Sequence, residues 1–414
     1  MTAPFPLHGA LPDDGQTTFR VWAPNADRIT LELQATSLSL QATDAGLFEG
    51  TTDAAPPGTC YQFRLDEDGP FPDPAARFQP EGVHGPSEVI DPDAYEWDDG
   101  DWDGVAREDL VIYELHVGAF TDAGSYDALR EQLAYLKDLG VTAIELMPVH
   151  DFPGQRNWGY DPAALFAPAR TYGRPEDLRR LVDAAHQTGL AVLLDVIYNH
   201  FGPDGAYANA FAPFLTDKYE TPWGPVMNLD DEGADGVRRF LIDNALHWLR
   251  EYHIDGLRLD ATHALHDESS PHFLAELSAA VDEHIGGPER HLIAEDHRNL
   301  SRLVQPRDDG GYGLDATWSD DLHHQLRVLT AGDTEGYYRD YQNTTTADIA
   351  TTIRDGWFFC GEYSEHLEEP RGTDPDSVRL DQCVVFIQNH DQVGNRPTGN
   401  RLTDDVSPAT YRAL

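Results

Sequence analysis

The 414-residue sequence predicts an α/β protein in which a small N-terminal β-sandwich precedes a TIM-type (β/α) barrel. Three observations lead there. Up to about residue 95 the chain runs in short apolar/polar alternations broken by Gly, Pro, Asp and Asn, the period-two pattern of half-buried strands. From Leu110 onward, apolar runs alternate with amphipathic helical stretches, the rhythm of strand–helix units. Neither a G-x-G-x-x-G turn nor a P-loop stands at any strand-to-helix junction, which disfavours a doubly wound nucleotide fold.

In chain order, FRVWAP, ITLELQ and TCYQFRL supply the sandwich strands, and the Pro- and Asp-rich VIDPDAYEWDDGDWDG leads out of them. The expected division is therefore an immunoglobulin-like sandwich over 1–100 and a barrel over 101–414. The barrel strands are LVIYELHV (110–117), VTAIELMPV (141–149), AVLLDVIYN (191–199), GLRLDA (256–261), HLIAED (291–296), LDATW (314–318) and CVVFIQNHD (383–391), read as buried and parallel. YDALREQLAYLKDLG, PEDLRRLVDAAHQTG and DGVRRFLIDNALHWLREYH place apolar residues at i, i+3 and i+4 and are the helices between strands. The third-to-fourth interval is about twice one βα unit. Its excess, 201–233, is rich in Gly, Pro and aromatics and follows a strand's C-terminal end, where barrel enzymes place function. After Asp391 there is room for a loop and the start of a helix at SPATYRAL but not for an eighth unit, so the chain reads as cut short.

Asp and Glu total 73 against 29 Lys and Arg, a net charge of −44. Such a surface repels phosphate backbones and anionic lipid, excluding nucleic acid and membrane surfaces as partners. Lys137 and Lys218 are the lysines, and this Lys-poor, acid-rich composition is halophile-like. No apolar run is long enough to span a bilayer and the N-terminus lacks the pattern of a secretory signal, so the expected location is cytoplasmic. Cys60, Cys360 and Cys383 lie far apart and read as reduced thiols. No pattern demands a metal or organic cofactor, and none determines an oligomeric state. His116, His150, His263, His323 and His324 lack metal-ligand spacing and read mostly as packing groups. His116 and Trp223 are candidates to line a groove.

Polar residues at the last positions of barrel strands share one rim. In GLRLDA, residues two apart face the same way, so Arg258 and Asp260 point together while Leu257 and Leu259 pack behind. Taken alone, this is more often a structural ion pair, and Asn389-His390-Asp391 is a helix-cap or turn signal as often as a catalytic one. Glu295 closes the apolar LIAE, where apolar walls favour a carboxyl that holds its proton. Three carboxylates on one rim match what retaining glycoside cleavage requires: a nucleophile, an acid/base and a third group to grip ring hydroxyls.

DVIYNH (195–200), GLRLDATH (256–263), IAED (293–296) and QNHD (388–391) resemble the four conserved stretches of the α-amylase superfamily of glycoside hydrolases. The resemblance implies a (β/α)8 barrel acting on α-glucans with retention, which this chain would enter without its last βα unit and without a C-terminal β-domain. It also implies Asp260 as nucleophile, Glu295 as general acid/base and Asp391 as transition-state stabiliser, with Arg258 orienting Asp260. By the same resemblance His200 and His390 bind hydroxyls of the reacting glucose, Tyr160 stacks on it, and Asp195 and Asn199 brace the site. NWGYDPAALFAPARTYG, TPWGPVMNLD, GYGLDATWSDDLHH and QNHDQVGNR resemble the trehalose-releasing branch of the superfamily. The partners it implies are maltooligosyltrehalose and α-glucan oligosaccharides, and the N-terminal segment resembles a glucan-binding-type module. A glycogen branching enzyme and an inactive, truncated glucan-binding chain are the alternatives. The chain departs from the superfamily in the Asp296-His297 pair that follows Glu295.

Overall fold

The computed structural model describes residues 7–219, 221 and 224–414, and Trp223 lies outside the described residues. Two antiparallel sheets make up the N-terminal region. One runs Gly9–Asp13, Gln16–Trp22, Leu47–Thr52, Gln41–Ala42, and the other Ser37–Ser39, Ile29–Leu33, Cys60–Leu65, Asp68–Phe71, with Ser87–Glu88 beside Cys60–Leu65. Alternation decides which side chains face inward. Phe19 and Val21 from one sheet and Tyr61, Phe63 and Leu65 from the other are buried. The Phe19 ring meets Tyr61 edge-on at 4.9 Å, closing the two sheets face to face.

The seven predicted barrel strands are all present: β1 (Ile112–Leu115), β2 (Ala143–Leu146), β3 (Ala191–Val196), β4 (Gly256–Leu259), β5 (His291–Ala294), β6 (Ala316–Ser319) and β7 (Cys383–Val385). By its contacts the chain divides into two compact units. The first is Met1–Asp260 with Ala264–Phe273 and Ala279–Arg290; the second is Ala261–His263 and Leu274–Ser278 with His291–Leu414. In the first unit β1 to β4 pair in parallel and in chain order, with Glu114 opposite Glu145 and Asp195 opposite Arg258. In the second, β5, β6 and β7 do the same. No eighth parallel strand follows β7 among the described residues.

Three expectations need correction. The helix expected over 126–140 is two pieces, α1 (Tyr126–Arg130) and α2 (Leu133–Leu139), with Leu129, Leu133 and Leu136 all buried. β1 and β7 are not buried strands: most of their residues are partly exposed, and Val385 is half-exposed. The run to Asp391 is not all strand either, because Asn389 accepts the Asp391 N–H and starts a helix at His390, so the capping chemistry of Asn prevails over the apolar pattern. The helices α3 (Pro175–Thr188) and α4 (Ala234–Glu251) match their predicted spans, and Gly189 ends α3 in the left-handed conformation that glycine allows.

Within the first unit the sandwich is joined to α4 by charge. Arg77 donates to Glu251 at 2.5 Å and His8 meets Asp243 at 2.9 Å, all largely buried. Trp22 packs so closely on α4 that a Cβ at Gly236 would collide with its ring. The Glu251 carboxyl, which burial alone would raise, is held well below its usual range because Arg77 and His247 outweigh burial. Among the described residues no helix is long and apolar enough to cross a membrane.

Two outcomes follow for stability. Arg77→Met, which takes the guanidinium from the buried Glu251 carboxylate and leaves His247 beside it, lowers the unfolding free energy by about 3 kcal/mol in denaturant titrations. Burial pushes His150 down to about 4, so its imidazole is neutral in the fold while the unfolded chain takes up a proton near its ordinary value. Unfolding free energy measured against pH is therefore unaffected by His150 above about 6.5 and declines as pH falls toward 4, and His150→Gln flattens that decline.

Candidate active site

The rim residues of the first unit converge on one guanidinium. Arg258, fully buried on β4, donates through Nη1 to both oxygens of Asp195 on β3 at 2.9 Å and to Asp260 Oδ1 at 2.7 Å. This follows from the strand pattern: Asp195 is opposite Arg258 in register, and Asp260 lies two residues on, on the same face. Asn199 Nδ2 donates to Asp260 Oδ2 at 2.9 Å and to the Asp260 carbonyl at 3.0 Å. Each Asp260 oxygen is thus held by a different donor. The carboxylate cannot rotate without losing one.

Tyr160 donates its hydroxyl to Asp195 Oδ2 at 2.7 Å, and burial, reinforced by Asp195, pushes the phenol well above its usual range. His200 donates from Nε2 to the Tyr160 carbonyl at 2.9 Å and meets Asn199 Oδ1 through Nδ1. Both its ring nitrogens are engaged within the protein, so a sugar hydroxyl would have to displace one of them. Tyr160, His200, Arg258 and Asp260 therefore form one hydrogen-bonded network with Asp195 and Asn199.

In the second unit, the Ala261 N–H donates to Glu295 Oε2 at 2.7 Å, and the Thr262 N–H to the Glu295 carbonyl at 2.9 Å. The peptide bond from Asp260 to Ala261 ties the two groups together in sequence. Asp391 lies in the first turn of its helix with its side chain about half exposed, 3.7 Å from His390 Nε2, while the His390 side chain is 7 % exposed. His297 stands edge-on to His263 at 4.3 Å, and burial, with His263 adding to it, pushes His297 down to about 4. His116 donates to the Asn157 carbonyl at 2.7 Å and lies against Tyr172, a packing arrangement. Among the described residues no group of three or more His, Cys, Asp or Glu is placed to hold a metal ion.

Two acids escaped the sequence reading. Glu114 and Glu145 are opposite each other on β1 and β2, and Glu145 is 1 % exposed with neither oxygen hydrogen-bonded among the described residues. Burial first, then Glu114, pushes the Glu145 carboxyl well above its usual range, with Arg258 only partly offsetting them. The signal was present: a Glu in the middle of the apolar runs VIYELHV and AIELM has no reason to be there as a solvated residue.

Residues 90–217 match the alpha amylase catalytic domain and 7–92 match carbohydrate-binding module 48, the isoamylase N-terminal domain. A solved alpha-amylase-class structure from Salmonella typhimurium superimposes with a TM-score of 0.91 at 40 % identity, covering 97 % of this chain and 68 % of that one. The Anoxybacillus pullulanase complexed with maltotetraose, at 22 % identity and a TM-score of 0.71, shares the fold; it covers 92 % of this chain and 61 % of its own. Strand order, rim chemistry and these matches define an α-amylase-type glycoside hydrolase with a TIM-type barrel. The malto-oligosyltrehalose trehalohydrolases of Saccharolobus solfataricus and Deinococcus radiodurans are 44 % and 47 % identical over 97 % of this chain, spanning 70 % and 66 % of their own lengths. The chain belongs to the malto-oligosyltrehalose trehalohydrolase family. A 1,4-alpha-glucan branching enzyme from Pseudoalteromonas atlantica is more distant, 30 % identical over 74 % of this chain and 49 % of its own length. The expected C-terminal truncation is not supported by these matches, which establish only how much of each relative the chain spans.

Arg258→Lys keeps a positive charge but replaces a fixed planar donor with a flexible point charge, so it cannot hold Asp195 and Asp260 in the same geometry. Steady-state kinetics on an α-glucan substrate should show kcat/KM lower by about 100-fold or more, with the circular dichroism spectrum unchanged.

Proposed function

We propose that this chain hydrolyses the α-1,4 bond next to the terminal trehalose unit of maltooligosyltrehalose and releases trehalose with a retaining double displacement. The observation that carries this reading is the Asp260 carboxylate, held at both oxygens by Arg258 and Asn199 at a strand's C-terminal end. In the first step an Asp260 oxygen bonds to the anomeric carbon while the Glu295 carboxyl proton passes to the glycosidic oxygen. The C–O bond breaks, its electron pair stays on that oxygen, and trehalose departs. In the second step the Glu295 carboxylate takes a proton from water, the water oxygen bonds to the anomeric carbon, and Asp260 leaves as carboxylate with net retention.

In this reading Asp391 and His390 hold hydroxyls of the reacting sugar, His200 does so by exchanging a protein hydrogen bond, and Tyr160 presents its ring. Residues 1–100 act as a glucan-binding-type module, 101–414 as the catalytic barrel, and 201–233 as an excursion over the site. The acidic surface serves a cytoplasmic protein adapted to salt, because a net charge of −44 repels itself unless screened.

Incubation with maltotriosyltrehalose should release free trehalose, and proton NMR should show the new reducing end formed first as the α-anomer. Asp260→Asn and Glu295→Gln should each lower kcat by about 10³–10⁵-fold. Branch points formed from a long α-glucan, with no trehalose released, would instead identify a branching transferase. Thermal unfolding followed from low to multimolar KCl should show the midpoint rising with salt; a midpoint that falls would remove the salt-adapted reading.

A further inference from the structure

Asp296 is almost fully buried, and the reaction written above does not use it. Its carboxylate collects four donors. Oδ1 accepts the Arg298 backbone N–H and Nε–H at 2.9 Å each, and Oδ2 accepts Arg298 Nη2 at 2.6 Å and the Thr262 hydroxyl at 2.8 Å. Burial alone would raise this carboxyl, but Arg298 outweighs it and the group lies below its usual range.

Thr262 connects Asp296 to Glu295. Its N–H already donates to the Glu295 carbonyl at 2.9 Å, and its hydroxyl lies within reach of both that carbonyl, at 3.0 Å, and Asp296 Oδ2. A hydroxyl has one hydrogen to give, and with the carbonyl served by the N–H, the charged Asp296 oxygen is the stronger acceptor. Ala261, just before it, has a φ of 44°, a left-handed conformation that a residue with a Cβ adopts only when its surroundings impose it. That conformation aims the Ala261 N–H at Glu295 Oε2, 2.7 Å away.

We infer that Asp296, clamped by Arg298, is a positioning residue for Glu295: through Thr262 it holds the Ala261–Thr262 turn whose N–H orients the Glu295 carboxyl for proton transfer. This rests on Glu295 being the acid/base. The motif departure noted after Glu295 in the sequence thereby becomes part of the acid's mount. Without Asp296 the turn relaxes, Glu295 Oε2 loses its donor, and proton delivery to the leaving oxygen suffers more than nucleophilic attack does.

The test compares leaving groups. Maltotriosyltrehalose needs its departing oxygen protonated, whereas the fluoride of α-maltosyl fluoride leaves without a proton. Asp296→Asn should lower kcat/KM about 50–100-fold on the first substrate and less than about 5-fold on the second, with Thr262→Val showing a smaller split in the same direction. Turnover of the fluoride also shows that the variant is folded. Equal losses on both substrates, or no loss on either, would overturn the proposal. Glu295→Gln run in parallel should show a larger split. If it shows none, the acid/base assignment itself falls, whereas a split in Glu295→Gln without one in Asp296→Asn removes only the positioning role.

Discussion

One buried guanidinium nitrogen is shared by two carboxylates, and the arrangement of the strand ends around it depends on it. Arg258 Nη1 serves Asp195 and Asp260 together, from a side chain with no exposure to water. A buried cation is tolerated only when its charge is compensated at close range, and here compensation comes from the strand on one side and from two residues along its own chain. The pairing therefore specifies register as well as charge. A shift of β4 against β3 by one residue would turn Arg258 away from Asp195 and take its guanidinium from that buried carboxylate.

The same economy explains the elements around it. Tyr160 and Asn199 fill the remaining acceptor sites of Asp195 and Asp260, and His200 holds the Tyr160 carbonyl, so the loops after the strands are tied to the strand ends by hydrogen bonds. With Asp195 and Asp260 already drawing on Arg258, little of its field is left for Glu145. Glu145 is set opposite another acid, with neither oxygen hydrogen-bonded among the described residues, and its carboxyl is pushed well above its usual range by burial first and then by Glu114.

Charge also joins the sandwich to the rest of the first unit. Arg77 with Glu251, His8 with Asp243 and Arg174 with Glu88 cross the same interface in which Trp22 lies against Gly236 and Phe214. The buried pairs restrict the contact to one orientation, since any other would leave them unmatched.

The sequence by itself determined the class of fold and the identity of the rim. The period-two runs become two sheets, the seven apolar runs become seven strands, and Asp260 in GLRLDA and Glu295 in LIAE directly follow strand ends, because side-chain alternation and apolar periodicity are local properties of the chain. The ends of elements were less legible. CVVFIQNHD is read as continuous strand by hydrophobicity alone, yet Asn389 starts a helix, since a side chain that caps a backbone N–H competes with the ladder. Only the tertiary structure decided that Glu114 and Glu145 face each other and that Thr262 links Asp296 to Glu295. It alone also decided that Ala261 bends left-handed to present its N–H. Each depends on residues tens of positions apart meeting at one point, and no periodicity along a chain encodes which strand a given residue will be paired with.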